Sequence, residues 1–349
     1  MCCQAGGLRD VARLPQHHRG IAPSTLASAN ESDPVCCVVR DNLSDWVCHT
    51  LANAMRHAHL WVTIALVGLP LVGRAGQAPA QDPRALTVVS LNLALREDAD
   101  RIADELLAIG AAQAADLILL QEVVKRDAGP DVAWRLAQRL GLDSVYHASF
   151  RLGEQRSAGL AFLSRQPPRD LRLLRLRRFE LSFRSRDRIA LGAAVETPSG
   201  TIHVYNVHLD TRINLAQRLD QLAAVTRDLD ALEGPVIVGG DFNTNDNRWL
   251  FHTIPLPFIG RQASGLVRFM EERGFRSAFG PGRPTHDALG MRLDWMFLRG
   301  LRASARSIQP VPVSDHHALI VSVVPTRRDL TVRRATGSDG SHLGHSRLQ

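Results

Sequence analysis

Residues Pro235–Thr244 read PVIVGGDFNT, and the way this stretch ends governs the reading of everything around it. An apolar strand, opened by a proline, runs into Gly239 and Gly240 and then presents Asp241 and Asn243 one residue apart. Alternate side chains of an extended chain share a face, so a carboxylate and an amide are expected to point at one spot. The paired glycines leave room for backbone or substrate to come close. Gly, Asp and Asn are also ordinary turn residues, so the stretch alone fits a strand that ends in a polar turn. What separates the two readings is how many other strands end the same way.

Working outward, short apolar runs alternate with helical patterns. Leu86–Asn92 (LTVVSLN) and Asp116–Glu122 (DLILLQE) read as strands, with Ala103–Ile109 in an amphipathic helix between them. Segments 157–163, 188–196 and 201–207 read as further strands, the last two joined by a turn at Pro198, Ser199 and Gly200. Leu215, Leu219, Leu222, Val225, Leu229 and Leu232 then recur at intervals of three and four, which marks one face of a long helix leading into the 235–244 stretch. Beyond an irregular region with proline and glycine, 293–298, 303–311 and 318–324 close the series as strands. Strands in runs with helices between them predict an α/β fold of two packed sheets with helices outside.

The polar residues at these strand ends form a set: Asn92; Gln121 and Glu122; Asn206, His208 and Asp210; Asp241 and Asn243; Asp294; Ser314, Asp315 and His316. Turn chemistry does not call for carboxylates and imidazoles at so many apolar strand ends. His203 and His317 lie outside the set and are read as satisfied core histidines. Within the set no cysteine, nucleophile elbow or His-Glu-x-x-His pair occurs, which disfavours thiol acyl transfer and zincin-type proteolysis. Oxygen donors dominate, and carboxylates with Asn suit Mg²⁺ or Mn²⁺. A histidine beside acidic groups can deprotonate water, and a second can stabilise charge on a phosphoryl group. Together these features point to metal-assisted hydrolysis of a phosphate ester.

The ordered series SLN, LLQE, YNVHLD, GGDFNT, RLDW and SDHH resembles the endonuclease/exonuclease/phosphatase superfamily, which includes deoxyribonucleases, neutral sphingomyelinases and inositol-phosphate phosphatases. Each motif alone is weak; six in order, from about Leu86 to Val324, are specific. The resemblance implies a four-layer α/β sandwich, two central mixed β-sheets flanked by helices, with the site where the strand ends meet. It implies Glu122 as principal Mg²⁺ ligand with Asn92 beside it and Asp315 near the metal. It further implies His316 as general base oriented by Asp294, Asp241 and Asn243 as residues that position water and phosphate, and His208 as stabiliser of the pentavalent transition state. For Asp210, Arg212 and Arg188 a structural ion-pair role stands beside a site role.

The ends of the chain differ from its body. All five cysteines precede Met55, whereas 55–80 has a short basic start, an apolar run from Leu60 to Val72 and small residues at Ala78 and Ala80. That is the form of a secretory signal, and the apolar run is short for a membrane span. Translation is therefore expected to begin at Met55, with 1–54 a spurious extension, 55–80 a cleaved signal, and a cysteine-free catalytic domain over 81–325. The expected location is periplasmic or extracellular. Residues 326–349 are Arg-, Gly- and Ser-rich and are expected to be disordered. The net charge of +7 is partly tail arginine, and Lys125 is the only lysine.

The densest basic run, Arg165–Arg188, reads either as a phosphate-steering surface or as a half-buried strand carrying Leu171, Leu173, Leu176 and Leu181 whose arginines are solvated. Trp249, Phe251 and Phe258 read as a substrate-facing rim or an exposed lid. No heptad pattern suggests an obligate partner, so a monomer is expected. The substrate is left among lipid head groups, small phosphodiesters and nucleic acid. A secreted endonuclease is the alternative reading, and a catalytically silent binding domain the outside one.

Overall fold

A computed structural model of the 349-residue chain describes residues 85–181, 186–256, 260–280, 282–287 and 290–326. The expectations for 1–54, 55–80, the start of the mature chain, Phe258 and the tail beyond Thr326 lie outside these residues. Thr326 itself, assigned to the tail from sequence, still donates its backbone N–H to Gly300 O at 3.0 Å.

The first sheet grows from β1 (Leu86–Asn92), which is buried along its whole length. It pairs parallel with β2 (Leu117–Arg126) and antiparallel with β14 (His317–Pro325). The sheet is completed by β13 (Leu301–Pro310) beyond β14, and by β4 (Arg156–Ser164) and β3 (Asp143–Arg151) beyond β2. The second sheet runs β11 (Arg276–Ser277), β12 (Asp294–Arg299), β8 (Val236–Asp241), β7 (Gly200–His208), β6 (Ile189–Thr197), β5 (Arg169–Arg175). There β7 and β8 are parallel and the other neighbours antiparallel. A small hairpin, β9 (Arg248–Leu250) with β10 (Ile254–Leu256), stands apart and exposes Leu250, Phe251 and Ile254.

Residue parity explains the layers. Along β1, Leu86 and Val88 pack with Leu119, Phe162, Leu191, Ile237 and Met296 in the core between the sheets. Val89 and Leu91 face the other way, onto α1 (Ala99–Ala108), α2 (Ala111–Ala114) and α3 (Val132–Leu140). On the far side of the second sheet, Tyr205, Val207 and Val238 pack against α4 (Leu215–Asp230) and α5 (Gln262–Glu271). Strands covered on both faces need continuous apolar runs, which is what the sequence supplies. Two mixed six-stranded sheets flanked by helices are thus the observed form of the expected four-layer sandwich. Asp98 and Asp131 cap α1 and α3 by accepting from Arg101 N and Trp134 N, each cap contributing about 1 kcal/mol.

One polar bridge crosses the apolar middle. Gln121 Nε2 on β2 donates to Asn206 Oδ1 on β7 at 2.8 Å, and Asn206 Nδ2 donates to the backbone oxygens of Leu120 and Ala161 at 2.9 and 3.0 Å. These fully buried bonds hold the two sheets at one register, because sliding either sheet would strand the amides without partners.

The basic run corrects one expectation. Its strand, β5, does lie at a sheet edge, but Leu171 and Leu173 are 46% and 43% exposed, while Arg172 and Leu174 take the inward side. A register shift lies between Arg169 and Arg172, and Leu176, just past the strand, is buried as expected.

Candidate active site

The carboxyl ends of β1, β7 and β8 and the bulge midway along β2 meet the amino ends of β12 and β14. In these positions stand Asn92, Glu122, His208, Asp241, Asp294 and His316, the last just before β14. Antiparallel pairing sets Asp294 directly opposite Asp241.

Asp241 is the best-held carboxylate. Its Oδ1 accepts from Asn243 N at 2.8 Å; its Oδ2 accepts from Asn92 Nδ2 at 2.9 Å and Asn243 Nδ2 at 3.1 Å. Asn243 also donates through Nδ2 to Leu209 O at 2.9 Å, and Asn92 Oδ1 accepts from Ala94 N at 2.9 Å. Asp241 and Asn243 do meet, but not by strand alternation: β8 ends at Asp241 and Asn243 has a left-handed φ of 49°, so a turn brings the amide back onto the carboxylate. The glycine before them serves backbone packing rather than a ligand. Gly240 has φ 134°, and a Cβ there would lie 2.1 Å from Val207 O on β7.

Glu122 enters the site through a bulge. Leu120 pairs with Ala161 and Val123 with Gly159, so Gln121 and Glu122 occupy the irregular step in β2. Glu122 takes a left-handed φ of 54° there, a strain that such a residue keeps only where surrounding structure imposes it. Burial raises its carboxyl above the usual range and Asp315 adds to the shift, against opposing charge from Arg188, His316 and Arg186.

Asp294 and His316 form a buried pair, Oδ2 to Nδ1 at 2.8 Å. A carboxylate only accepts, so Nδ1 carries the proton and Nε2 is the nitrogen left to face the site. Thr285 Oγ1 donates to the same Asp294 oxygen at 2.7 Å while accepting from the backbone N–H groups of Leu293 and Asp294. Burial opposes a charge on His316, but Asp294, Asp241 and Asp315 outweigh it and raise the imidazole to about 10. Burial, then the facing Asp294, lifts Asp241 to about 7.

His208 goes the other way. Burial, then Arg188 and His316, pushes it well below the ordinary imidazole range. Its Nε2 lies 3.5 Å from Asp241 Oδ2 and 3.9 Å from Glu122 Oε1, which for a neutral ring are polar contacts rather than ion pairs. Arg188 Nη1 sits 3.2 and 3.0 Å from the two ring nitrogens, and Arg188 Nε donates to Asp210 Oδ1 at 2.8 Å. Gln221 Nε2 donates to Asp210 Oδ2, and Gln221 Oε1 accepts from Asp210 N. Arg188 and Asp210 therefore form the buried ion pair, whereas Arg212 presents its backbone oxygen to His252 Nδ1.

Asp315 stands at the rim with its side chain 52% exposed, 3.4 Å from His286 Nε2. Burial works against its charge, but His286 and His316 hold it down at about 2. His317 pairs with Asp287 at 2.9 Å, away from the set.

Three partners escape the sequence reading. Thr285 and His286 lie in the irregular stretch before the RLDW strand, where only the hydroxyl and imidazole in Pro284-Thr285-His286 were a signal. Arg218 sits fully buried on α4, its guanidinium donating to Asp210 O, Thr211 O and Gln262 Oε1, and burial lowers it to about 9. It shares its face with Leu215, Leu219 and Leu222, where helical periodicity alone gives no reason for a buried arginine.

The donor set fits a hard divalent cation. Asp241 and Asp294 stand opposite each other, Glu122 and Asp241 both lie against His208, Asp294 Oδ1 is buried without a hydrogen-bond partner among the described residues, and burial more than any neighbour raises the Glu122 and Asp241 carboxyls. Among the described residues, two trios have donor atoms within 4.8 Å of one another: Asp241, Asp294, His316 and His286, Asp315, His316. Neither includes Glu122. The basic run offers less. Arg165, Arg172, Arg177 and Arg178 pair with Asp116, Asp228, Asp220 and Asp187.

The fold is shared with solved proteins. An endonuclease/exonuclease/phosphatase from Beutenbergia cavernae DSM 12333 is 20% identical with a TM-score of 0.55, over 69% of this chain and 72% of that one. A family protein from Leptotrichia buccalis C-1013-b is 17% identical with a TM-score of 0.54, over 68% and 99%. The human Nocturnin catalytic domain, solved with a bound sulfate anion, is 19% identical with a TM-score of 0.51, over 70% and 94%. Residues 89–316 match the Endonuclease/Exonuclease/phosphatase family across the span that carries this site. The chain therefore belongs to that family of phosphoester hydrolases.

Proposed function

We propose that the protein is an exported, Mg²⁺- or Mn²⁺-assisted phosphodiesterase that attacks its substrate with a water activated by His316. The observation that carries this reading is the buried Asp294–His316 pair standing directly across β8 and β12 from Asp241. Glu122, Asn92 and Asp315 would hold the cation. When bound, it offsets carboxylate charge, polarises the phosphoryl oxygen and favours departure of the ester oxygen.

The protein's own groups divide the remaining work. Asp294 and Thr285 fix the tautomer of His316, and with the carboxylate charge that otherwise keeps the ring doubly protonated offset by the cation, Nε2 takes a proton from water as its oxygen attacks phosphorus. The P–O bond to the leaving alcohol breaks with its electron pair going to that oxygen, which takes a proton from solvent water, and His316 returns to solvent the proton it accepted. Asn243 and Asn92 hold Asp241 in place beside the reacting phosphate, and the neutral His208 donates a hydrogen bond to a phosphoryl oxygen as charge builds there. Arg188, locked by Asp210, keeps that ring oriented. The same groups would serve a secreted endonuclease. Local ion pairing of the basic run favours a small or lipid-derived diester over a long polyanion.

Hydrolysis of bis-p-nitrophenyl phosphate, with Mg²⁺ and with EDTA, tests the reading. Cation-dependent release of p-nitrophenol is expected. A folded protein with no turnover on this or any natural diester would favour the silent binding domain instead.

A further inference from the structure

The described region contains a second group of donors that the hydrolytic reading does not use as a set. Residues 285–287 and 315–317 pair as an isolated antiparallel bridge centred on His286 and His316. Asp287 N donates to Asp315 O at 3.0 Å and His317 N donates to Thr285 O at 2.8 Å, so backbone bonds on both sides fix the bridge. The two imidazoles stand edge to face, their centroids 4.6 Å apart. His286 Nε2 is 3.4 Å from Asp315 Oδ2, and one donor atom from each of His286, Asp315 and His316 lies within 4.8 Å of the other two.

We propose that His286, Asp315 and His316 form a site for a transition-metal dication of the Zn²⁺ type, and that filling it switches the enzyme off. Two imidazole nitrogens and one carboxylate are a nitrogen-rich set, which prefers Zn²⁺ or Co²⁺ to Mg²⁺. Ligands at Zn²⁺ bond lengths on a tetrahedron stand about 3.3 Å apart, and the His286–Asp315 separation already matches that edge. The carboxylate of Asp294 on His316 Nδ1 supplies the outer support that ligating histidines commonly have, and it directs Nε2 toward the cation. Three protein ligands leave a fourth position for water, and the half-exposed Asp315 gives a path in from solvent.

Inhibition follows from sharing. A cation on His316 Nε2 occupies the lone pair that would accept the proton from the attacking water, and Asp315 is withdrawn from the oxygen-rich set. Metal binding rests on the geometry alone, whereas the inhibition rests on the reading of His316 as the base.

The test uses metal-free protein titrated with Co²⁺, read by visible absorption, beside Zn²⁺ titration of Mg²⁺-supported bis-p-nitrophenyl phosphate hydrolysis. Wild type, His286→Ala and His286→Gln are compared, with thermal melting to confirm that each is folded. Wild type should develop the intense bands of tetrahedral Co²⁺ at stoichiometric metal, and both variants should lose them. Both should need about tenfold more Zn²⁺ or beyond for half-inhibition of the Mg²⁺-supported turnover that each retains. Tetrahedral Co²⁺ spectra in both folded variants, or Zn²⁺ inhibition unchanged in both, would overturn the proposal. A wild-type protein that binds Co²⁺ in this way but shows no hydrolysis with Mg²⁺ would refute the hydrolytic reading and leave the metal site standing.

Discussion

The carboxylate of Asp294 lies 2.8 Å from Nδ1 of His316, and the same oxygen accepts from Thr285 Oγ1 at 2.7 Å. With both lone-pair directions of Oδ2 engaged, the imidazole is held in one orientation and one tautomer. Everything assigned to His316 depends on that restraint.

Asp294→Asn breaks it with little change in volume. Turnover should fall about 100- to 10,000-fold, the range that a positioned acid–base group contributes, with KM little changed. In metal-free protein, His316 is raised to about 10 by Asp294, Asp241 and Asp315 against the cost of burial. The pair's contribution to stability is therefore complete below the ordinary imidazole value and fades as pH rises through about 10. An NMR titration of the His316 ring should show a markedly lower value in the Asn variant. An unchanged titration would remove Asp294 from this role.

Glu122→Gln separates activity from stability. Burial raises Glu122, and burial with Asp294 raises Asp241 to about 7, so the folded protein binds more protons than the unfolded chain between the ordinary carboxylate range and these values. Stability of the metal-free protein should thus decline from pH 4 to 7, and a divalent cation should restore it. The Gln variant should melt higher than wild type at pH 7 without metal, gain less from Mg²⁺, and lose most hydrolysis. Thermal melts across pH with and without Mg²⁺ check this, and a variant that melts lower would contradict it.

Much of the fold was legible because strands covered on both faces are apolar along most of their length, as 86–91, 117–120 and 236–240 are. The polar ends of those strands located the site for the same reason: little else explains carboxylates and imidazoles there. What the sequence does not contain is the local backbone. Glu122 reaches the site through a bulge imposed by the β2–β4 pairing, which has no residue signature there, and Asn243 through a left-handed turn that its residue type allows but does not dictate. Arg218 and Gln221 lie on the buried face of α4 because they tie down Asp210, a demand created by tertiary contact.

Asp210→Ala leaves the Arg188 guanidinium buried without its carboxylate. The loss should be about 3–5 kcal/mol by urea denaturation. Pairing it with Arg188→Met removes the unpaired charge and should recover a large part of that stability. Activity should not return, because Arg188 also sits against both nitrogens of His208. Stability losses that simply add in the double variant would show that the two side chains do not act as a pair.

The account's central claim is that His316 activates water in a cation-dependent site. It is tested most directly by hydrolysis of bis-p-nitrophenyl phosphate, sphingomyelin, plasmid DNA and inositol phosphates by wild type, His316→Ala and Glu122→Ala, with and without Mg²⁺. The predicted result is Mg²⁺-dependent cleavage of one substrate class by wild type, reduced by about 100-fold or more in both folded variants. Wild-type turnover by folded His316→Ala would contradict the claim.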